Sequence, residues 1–182
     1  MSFIASIVVL SFLILVFLCA VVLFFWSMHD ALRGGDDPVT SAEAIAVIAE
    51  EIRLRGLESG MLYDLGSCRG TFALALQKEL PNLQITGIDD SFFRILLSRV
   101  RSIGLDNKPV FLHGDLFSLP LSDADMINVY LPREMLPRVY RHIELSKKSL
   151  LVTMYRISFT NTPPIKTISL AKEGEHVRIY NF

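Results

Sequence analysis

The sequence predicts an α/β fold, an open and mostly parallel sheet that ends in an antiparallel hairpin and is preceded by one transmembrane helix. Three observations predict it. Residues 2–28 contain no Asp, Glu, Lys, Arg or His. After residue 40, short apolar runs alternate with segments whose apolar residues recur every three or four positions, the pattern of strands followed by helices. A glycine loop or an acidic residue follows each of the first three predicted strands, at the sheet edge where such folds bind ligands.

The N-terminal run is long enough to cross a bilayer, since about 20 apolar helical residues span a hydrocarbon core of about 30 Å. A cleaved signal peptide would carry a basic start, and this chain begins Met1-Ser2-Phe3. Cys19 lies inside the run, and Trp26 stands at its end, where an indole favours the interface. The anchor is assigned to residues 1–29, a linker rich in turn formers to 30–40, and the folded domain to 41–182. Arg33 is offset by Asp30, Asp36 and Asp37, so flanking charge does not orient the span.

In the domain, Thr40 and Glu43 have capping-box spacing, and Ala42, Ile45, Ile48, Ala49 and Ile52 form one apolar face of a helix ending near Gly56. A strand at 61–63, a loop and a helix over 71–80 follow. The alternation continues with a strand at 84–88, a helix at 91–103, and strands at 109–113 and 124–131. A helix at 132–146 and a strand at 149–155 come next. A loop through Pro163 and Pro164 leads to strands at 165–170 and 176–180, paired across Lys172-Glu173-Gly174.

The net charge of -1, from 18 Lys+Arg against 19 Asp+Glu, gives no reason to expect a nucleic-acid partner. The two cysteines, Cys19 and Cys68, occupy such different settings that a disulfide between them is not expected. His113 has no second His or Cys at ligand spacing, so no metal is expected. Arg94, Arg99 and Arg101 read as a solvated helix face. Arg133, Arg138, Arg141, Lys147 and Lys148 are placed to meet anionic headgroups if the domain lies near a bilayer.

Four stations carry the chemistry. The first strand runs into Asp64-Leu65-Gly66-Ser67-Cys68-Arg69-Gly70, where glycines permit a tight turn that brings backbone N–H groups toward a ligand. The second ends at Asp89-Asp90-Ser91, about twenty residues on, where a carboxylate can accept ribose hydroxyls. The third ends in His113-Gly114-Asp115-Leu116, and the fourth in Asn128-Val129-Tyr130-Leu131-Pro132. A dinucleotide fingerprint would need glycines where the chain has Cys68 and Thr71, and no Gly-Lys-Ser/Thr of a P-loop follows the first strand.

This order resembles the class I S-adenosylmethionine (SAM)-dependent methyltransferases, whose first motif is acidic-x-Gly-x-Gly-x-Gly. Asp64, Gly66 and Gly70 match it and Cys68 departs, a departure that a negative φ at Cys68 would accommodate. The resemblance implies SAM as cofactor. It would place Asp64, Gly66, Ser67, Cys68 and Gly70 at the methionine part, Asp89 with Asp90 at the ribose, and Asp115 with Leu116 at the adenine. With its membrane helix, short linker, Tyr63-Asp64-Leu65-Gly66-Ser67 and Tyr130-Leu131-Pro132, the chain is similar to the membrane-anchored protein-lysine methyltransferases of the ATP synthase c subunit and the adenine nucleotide translocase, and to their prokaryotic relatives.

That resemblance implies a membrane-protein substrate and a domain on the cytoplasmic side, or the matrix side in mitochondria. Candidate catalytic residues are Asn128 and Tyr130, which could orient the amine, and Glu134, which could accept its proton. Strand-end capping and the helix dipole explain the same residues without catalysis. A lipid or quinone methyltransferase and a SAM-fold partner-binding protein that no longer catalyses are the alternatives.

Overall fold

The computed structural model describes residues 3–34, 39–146, 150–160 and 162–182. The chain divides into two units, Met1–Asp37 and Pro38–Phe182. The first holds helix α1 (Phe3–Gly34), which continues past residue 29 into the segment assigned to the linker. Its stretch Phe3–Trp26 is long and apolar enough to cross a membrane, with a mean hydropathy of 3.4 and none of it buried by protein. Of the expected linker, residues 35–38 lie outside the described residues, as do Lys147 and Lys148.

The second unit is a seven-stranded sheet with helices. Its elements are α2 (Ala42–Leu54), β1 (Met61–Leu65), α3 (Thr71–Glu79), β2 (Gln84–Asp89), α4 (Phe92–Arg101), β3 (Val110–His113), β4 (Met126–Val129), α5 (Leu136–Ser146), β5 (Leu151–Tyr155), β6 (Lys166–Ser169) and β7 (His176–Asn181). The strand order is β3-β2-β1-β4-β5-β7-β6. The first five are parallel, and β7 runs antiparallel to both β5 and β6. The reversal between β1 and β4 makes a switch point, so the carboxyl ends of β1, β2 and β4 open onto one crevice.

The core explains these elements. Leu62, Leu76, Ile48, Ile52 and Ile179 close one apolar cluster on the α2 and α3 side. Leu65, Ile127, Val129, Val139, Ile143 and Val152 close the other under α5. Strands β4 and β5 are buried along their whole length, as expected of a parallel sheet covered on both faces.

Two local expectations change. The cap of α2 is Ser41, whose side chain accepts from the Ala44 N–H at 3.2 Å, and Thr40 is buried instead. Glu43 does not close a capping box; it accepts from the Ala171 N–H at 3.0 and 3.2 Å, tying α2 to the turn between β6 and β7. Ser41→Ala should therefore cost about 1 kcal/mol of stability, readable as a shift in the denaturation midpoint, while Thr40→Ser should not act through the cap. The helix expected over 132–146 begins instead as a 3-10 turn, Arg133–Met135, before α5. Pro137 has no N–H to give the Arg133 carbonyl, and Leu136 donates to it in the tighter pattern.

Candidate active site

The loop after β1 is held by its own backbone. The N–H groups of Gly66 and Ser67 both donate to the Ile88 carbonyl at 2.9 Å, that of Gly70 donates to Ser67 at 2.8 Å, and that of Cys68 donates to Asp89 Oδ2 at 2.9 Å. The expectation that these N–H groups reach for a ligand is thus corrected: those of Gly66, Ser67 and Cys68 fasten the loop to β2, and that of Gly70 closes the loop on itself. Gly66 and Gly70 have φ of 79° and 69°. A Cβ on Gly70 would lie 2.6 Å from the Phe111 ring, and one on Gly66 would lie 2.3 Å from Leu131 Cδ2. These glycines are needed because core side chains pack on their backbone.

Cys68 also differs from expectation, with φ of +49° rather than negative. Its backbone adopts the left-handed conformation that glycine tolerates best. The bond from its N–H to Asp89 helps to hold that geometry. Ser67 is buried with its side chain against Gly87, and its Oγ has no hydrogen-bond partner.

Asp64 sits at the heart of the site, 3% exposed. Register sets Asp64 beside Asn128 and Asn128 beside Thr153. The Asn128 amide donates to Asp64 Oδ1 at 2.8 Å, and its carbonyl accepts from the Thr153 hydroxyl at 3.0 Å. Oδ2 of Asp64 is buried with no partner. Burial is the main cause that raises this carboxyl from 3.8 to about 7, with Asp89 adding to it and the Asn128 bond opposing.

Asp89, at the end of β2, accepts from the Cys68 N–H at 2.9 Å and, through Oδ1, from the Ser91 N–H at 2.9 Å. Arg94 lies 4.0 Å away. Burial raises the Asp89 pKa from 3.8, opposed by those two N–H groups and by Arg94. Each oxygen retains a lone pair for a further donor. The neighbouring Asp90 is exposed, and its carbonyl lies 3.1 Å from His113 Nε2. After β3, Asp115 Oδ1 accepts from the Phe117 N–H at 3.0 Å, while Oδ2 lies 3.5 Å from Arg138. Leu116 is buried in the core. Arg138 also lies over the Phe117 ring, 3.6 Å from its centroid.

Beyond β4 and β5 stands a second polar group. Tyr130 packs edge-on against Tyr155, with ring centroids 5.2 Å apart, and acts electrostatically on the Arg156 guanidinium. Arg156 follows β5 directly, with φ of 64°. The Tyr155 hydroxyl donates to the buried Glu175, which also pairs with Lys172 at 3.1 Å. The Tyr155 bond is the first cause holding the Glu175 carboxyl below its usual 4.5. Burial is the main cause that raises the Tyr155 pKa, and Ser41 opposes it, so the start of α2 lies at this same edge. Glu134 is exposed in its 3-10 turn, outside this group of bonded side chains. Among the described residues no group of three or more His, Cys, Asp or Glu is placed to hold a metal.

Sequence reasoning missed Thr153, Arg94, Arg156 and Glu175. Arg156 was accessible to the rule used for the other strands, since it is the first residue beyond the carboxyl end of β5. Thr153 is identified only by register.

No protein-family model matches the chain, and no curated protein matches it in sequence. Solved structures match in fold. An RNA methyltransferase from Salinibacter ruber, in complex with S-adenosyl-L-homocysteine, is similar over 80% of this chain and 93% of its own, at 21% identity and a TM-score of 0.61. The magnesium protoporphyrin IX methyltransferase of Synechocystis PCC 6803, with bound SAM, covers 84% of this chain and 89% of its own, at 15% identity and a TM-score of 0.58. A precorrin-6y C5,15-methyltransferase from Geobacter metallireducens covers 81% and 91%, at 14% identity and a TM-score of 0.61. The second unit of this chain therefore has the Rossmann-like fold of the class I methyltransferases, complete with the C-terminal antiparallel hairpin.

Proposed function

We propose that this chain is a membrane-anchored SAM-dependent methyltransferase that methylates a lysine amine of a membrane or membrane-adjacent protein. The observation that carries the cofactor is Asp64 Oδ2, a buried carboxylate oxygen without a partner beside the β1 loop. An α-ammonium group would satisfy it. Asp89 has lone pairs left for ribose hydroxyls, and Asp90 and Asp115 with Leu116 follow β2 and β3 at the same sheet edge, which supports assigning the adenine there. The loop N–H groups are already used within the protein, which disfavours a phosphate and suits a cationic sulfonium compound.

When bound, SAM supplies an electrophilic methyl group whose carbon–sulfur bond breaks as the new carbon–nitrogen bond forms. The protein's part is alignment and exclusion of water. Lysine, with an ordinary pKa of about 10.4, must arrive or become neutral, its proton passing to solvent or to a nearby acceptor. Tyr130, beside Arg156, is the candidate to hold that amine, and Glu134 remains a candidate acceptor. Asn128 acts through Asp64 as a positioning residue, because its amide already bonds to both Asp64 and Thr153.

Lysine is preferred over a lipid or quinone on the resemblance to the membrane-anchored protein-lysine methyltransferases. The cavity of about 190 Å³ lined by Arg133, Leu136, Pro137, Tyr140, Phe159 and Thr160 contains none of Asp64, Asp89, Asn128 and Tyr130 and does not bear on that choice. The anchor reading rests on Phe3–Trp26, and the sidedness on SAM being made and used inside cells. The positive φ of Cys68 favours a second reading, a SAM-fold protein that binds a partner without catalysis.

Calorimetric titration of the full chain in lipid nanodiscs with S-adenosylhomocysteine is expected to show micromolar binding. Absence of heat at near-millimolar ligand would remove the enzyme reading. Membranes incubated with methyl-labelled SAM should then show label in protein; label in the lipid extract alone would favour the lipid methyltransferase.

A further inference from the structure

Helix α4 turns an apolar face to solvent. It buries Ile95 and Ser98 toward the sheet, yet Phe92, Leu96, Leu97 and Val100 are 41–54% exposed. Ile103 just beyond it is 74% exposed, and Val110 on the neighbouring β3 is 56% exposed. Phe92, Leu96, Val100 and Ile103 stand at intervals of four, four and three, so they form one stripe. Outside α1 the only other large apolar side chains exposed among the described residues are Val39, Leu54, Leu145 and Ile165, which are scattered along the chain. Concentration on one helix is the feature that distinguishes an interaction surface from ordinary exposed leucines.

The charge on this helix is one-sided. It carries Arg94, Arg99 and Arg101 and no Asp or Glu, the nearest acids in sequence being Asp90 and Asp106. These arginines were expected to be a solvated face, and they are instead tied to the protein. Arg94 lies beside Asp89, Arg99 donates twice to the Phe111 carbonyl, at 3.0 and 2.7 Å, and Arg101 donates to the Arg69 carbonyl at 2.9 Å. Arg99 and Arg101 stay exposed while so fixed, which holds two cations beside the stripe. A helix with a Phe/Leu/Val/Ile face flanked by arginines has the character of one that lies in a membrane interface.

We infer that the outer face of α4, with Ile103 and Val110, docks on the headgroup region of an anionic bilayer, the bilayer that α1 crosses. The inference rests on the anchor reading, because a tethered domain meets lipid at a high effective concentration, where weak apolar and ionic contacts suffice. Docking would limit which way the carboxyl edge of the sheet can turn, and so which part of a neighbouring protein it can reach.

The test uses the full chain in vesicles of phosphatidylcholine with phosphatidylglycerol. The photoreactive amino acid p-benzoylphenylalanine is placed at Leu96, and for comparison at Lys78 on α3, which is exposed and polar. Retained binding of S-adenosylhomocysteine reports folding in each case. Irradiation is expected to give lipid adducts at position 96 several-fold above those at 78. Replacing the anionic lipid with phosphatidylcholine should lower the yield by about fivefold for each cation that meets the surface, and Val100→Glu should lower it in either lipid. Alkaline extraction of the same vesicles reads the anchor separately. A chain retained in the membrane whose position 96 gives no lipid adduct, or gives adducts to protein or to a second copy, overturns the docking and leaves the anchor intact. A chain that is extracted yet gives lipid adducts overturns the anchor and keeps the surface. A chain neither retained nor cross-linked loses both.

Discussion

Asp64→Asn should weaken S-adenosylhomocysteine binding by about 100-fold at pH 8, since a hydrogen bond to a charged group contributes about 1.5–3 kcal/mol. The same substitution should remove a pH dependence. In the parent chain the Asp64 carboxyl titrates at about 7, so below that pH it must lose a proton before it can meet an ammonium group. The apparent Kd should rise by about tenfold per unit as pH falls below 7 and be flat above it. Titrations on both sides of neutrality check this. A parent Kd that does not change with pH would mean that Asp64 does not contact the ligand.

The stability of the ligand-free protein should move in the opposite sense. A carboxyl raised from 3.8 to about 7 favours the folded state fully while both states are protonated. As pH rises between those values the unfolded chain releases its proton and the folded chain keeps it. Stability then falls by up to about 1.4 kcal/mol per unit and levels off above pH 7. Denaturant titrations at several pH values should show this slope in the parent and its loss in Asp64→Asn. Affinity for the cofactor is thus held in the same group that makes the empty fold less stable as pH approaches neutrality.

Gly70→Ala should cost about 2–5 kcal/mol. Its φ of +69° alone would cost an L residue about 1–2 kcal/mol. The added methyl would also lie 2.6 Å from Cζ and 2.8 Å from Cε1 of Phe111, with Ser98 Oγ at 3.0 Å. Phe111 is only 3% exposed within the core, so its ring has nowhere to retreat, and such overpacking costs about 1–3 kcal/mol. Gly66→Ala should cost less, because the atom it meets is the far end of the half-buried Leu131 side chain. Cys68→Gly should stabilise the loop by about 1 kcal/mol, relief of the left-handed backbone outweighing the added chain entropy. Thermal denaturation of the three variants checks the order. A Gly70→Ala chain as stable as the parent would show that the loop is not clamped against Phe111.

Most of the fold was legible because alternating periodicities mark parallel sheets, and the final hairpin declared itself through two strand-like runs across Lys172-Glu173-Gly174. The loop and its acids were legible by position after each strand. What those residues do to one another was not. That Cys68 takes a positive φ and that the N–H groups of Gly66, Ser67 and Cys68 serve β2 depends on how β1 and β2 pair, which spacing does not encode. Thr40 was expected to cap α2, and the placement of the helix's first turn gives that role to Ser41 instead. The apolar face of α4 was hidden because three arginines in ten residues dominate the reading, although each is engaged by the protein.

The bonds joining Thr153, Asn128 and Asp64 all point one way, each donor directed toward the carboxylate. An ionised carboxylate only accepts, so Asp64 keeps the NH2 of Asn128 turned toward itself, and the Thr153 hydroxyl satisfies the carbonyl that this orientation leaves. Three positions on three separate strands are therefore heritable as a unit. In relatives of this chain, loss of the acid at 64 should be accompanied by changes at 128 and 153, and covariation among these positions would record the ligand's ammonium group through residues that never touch it.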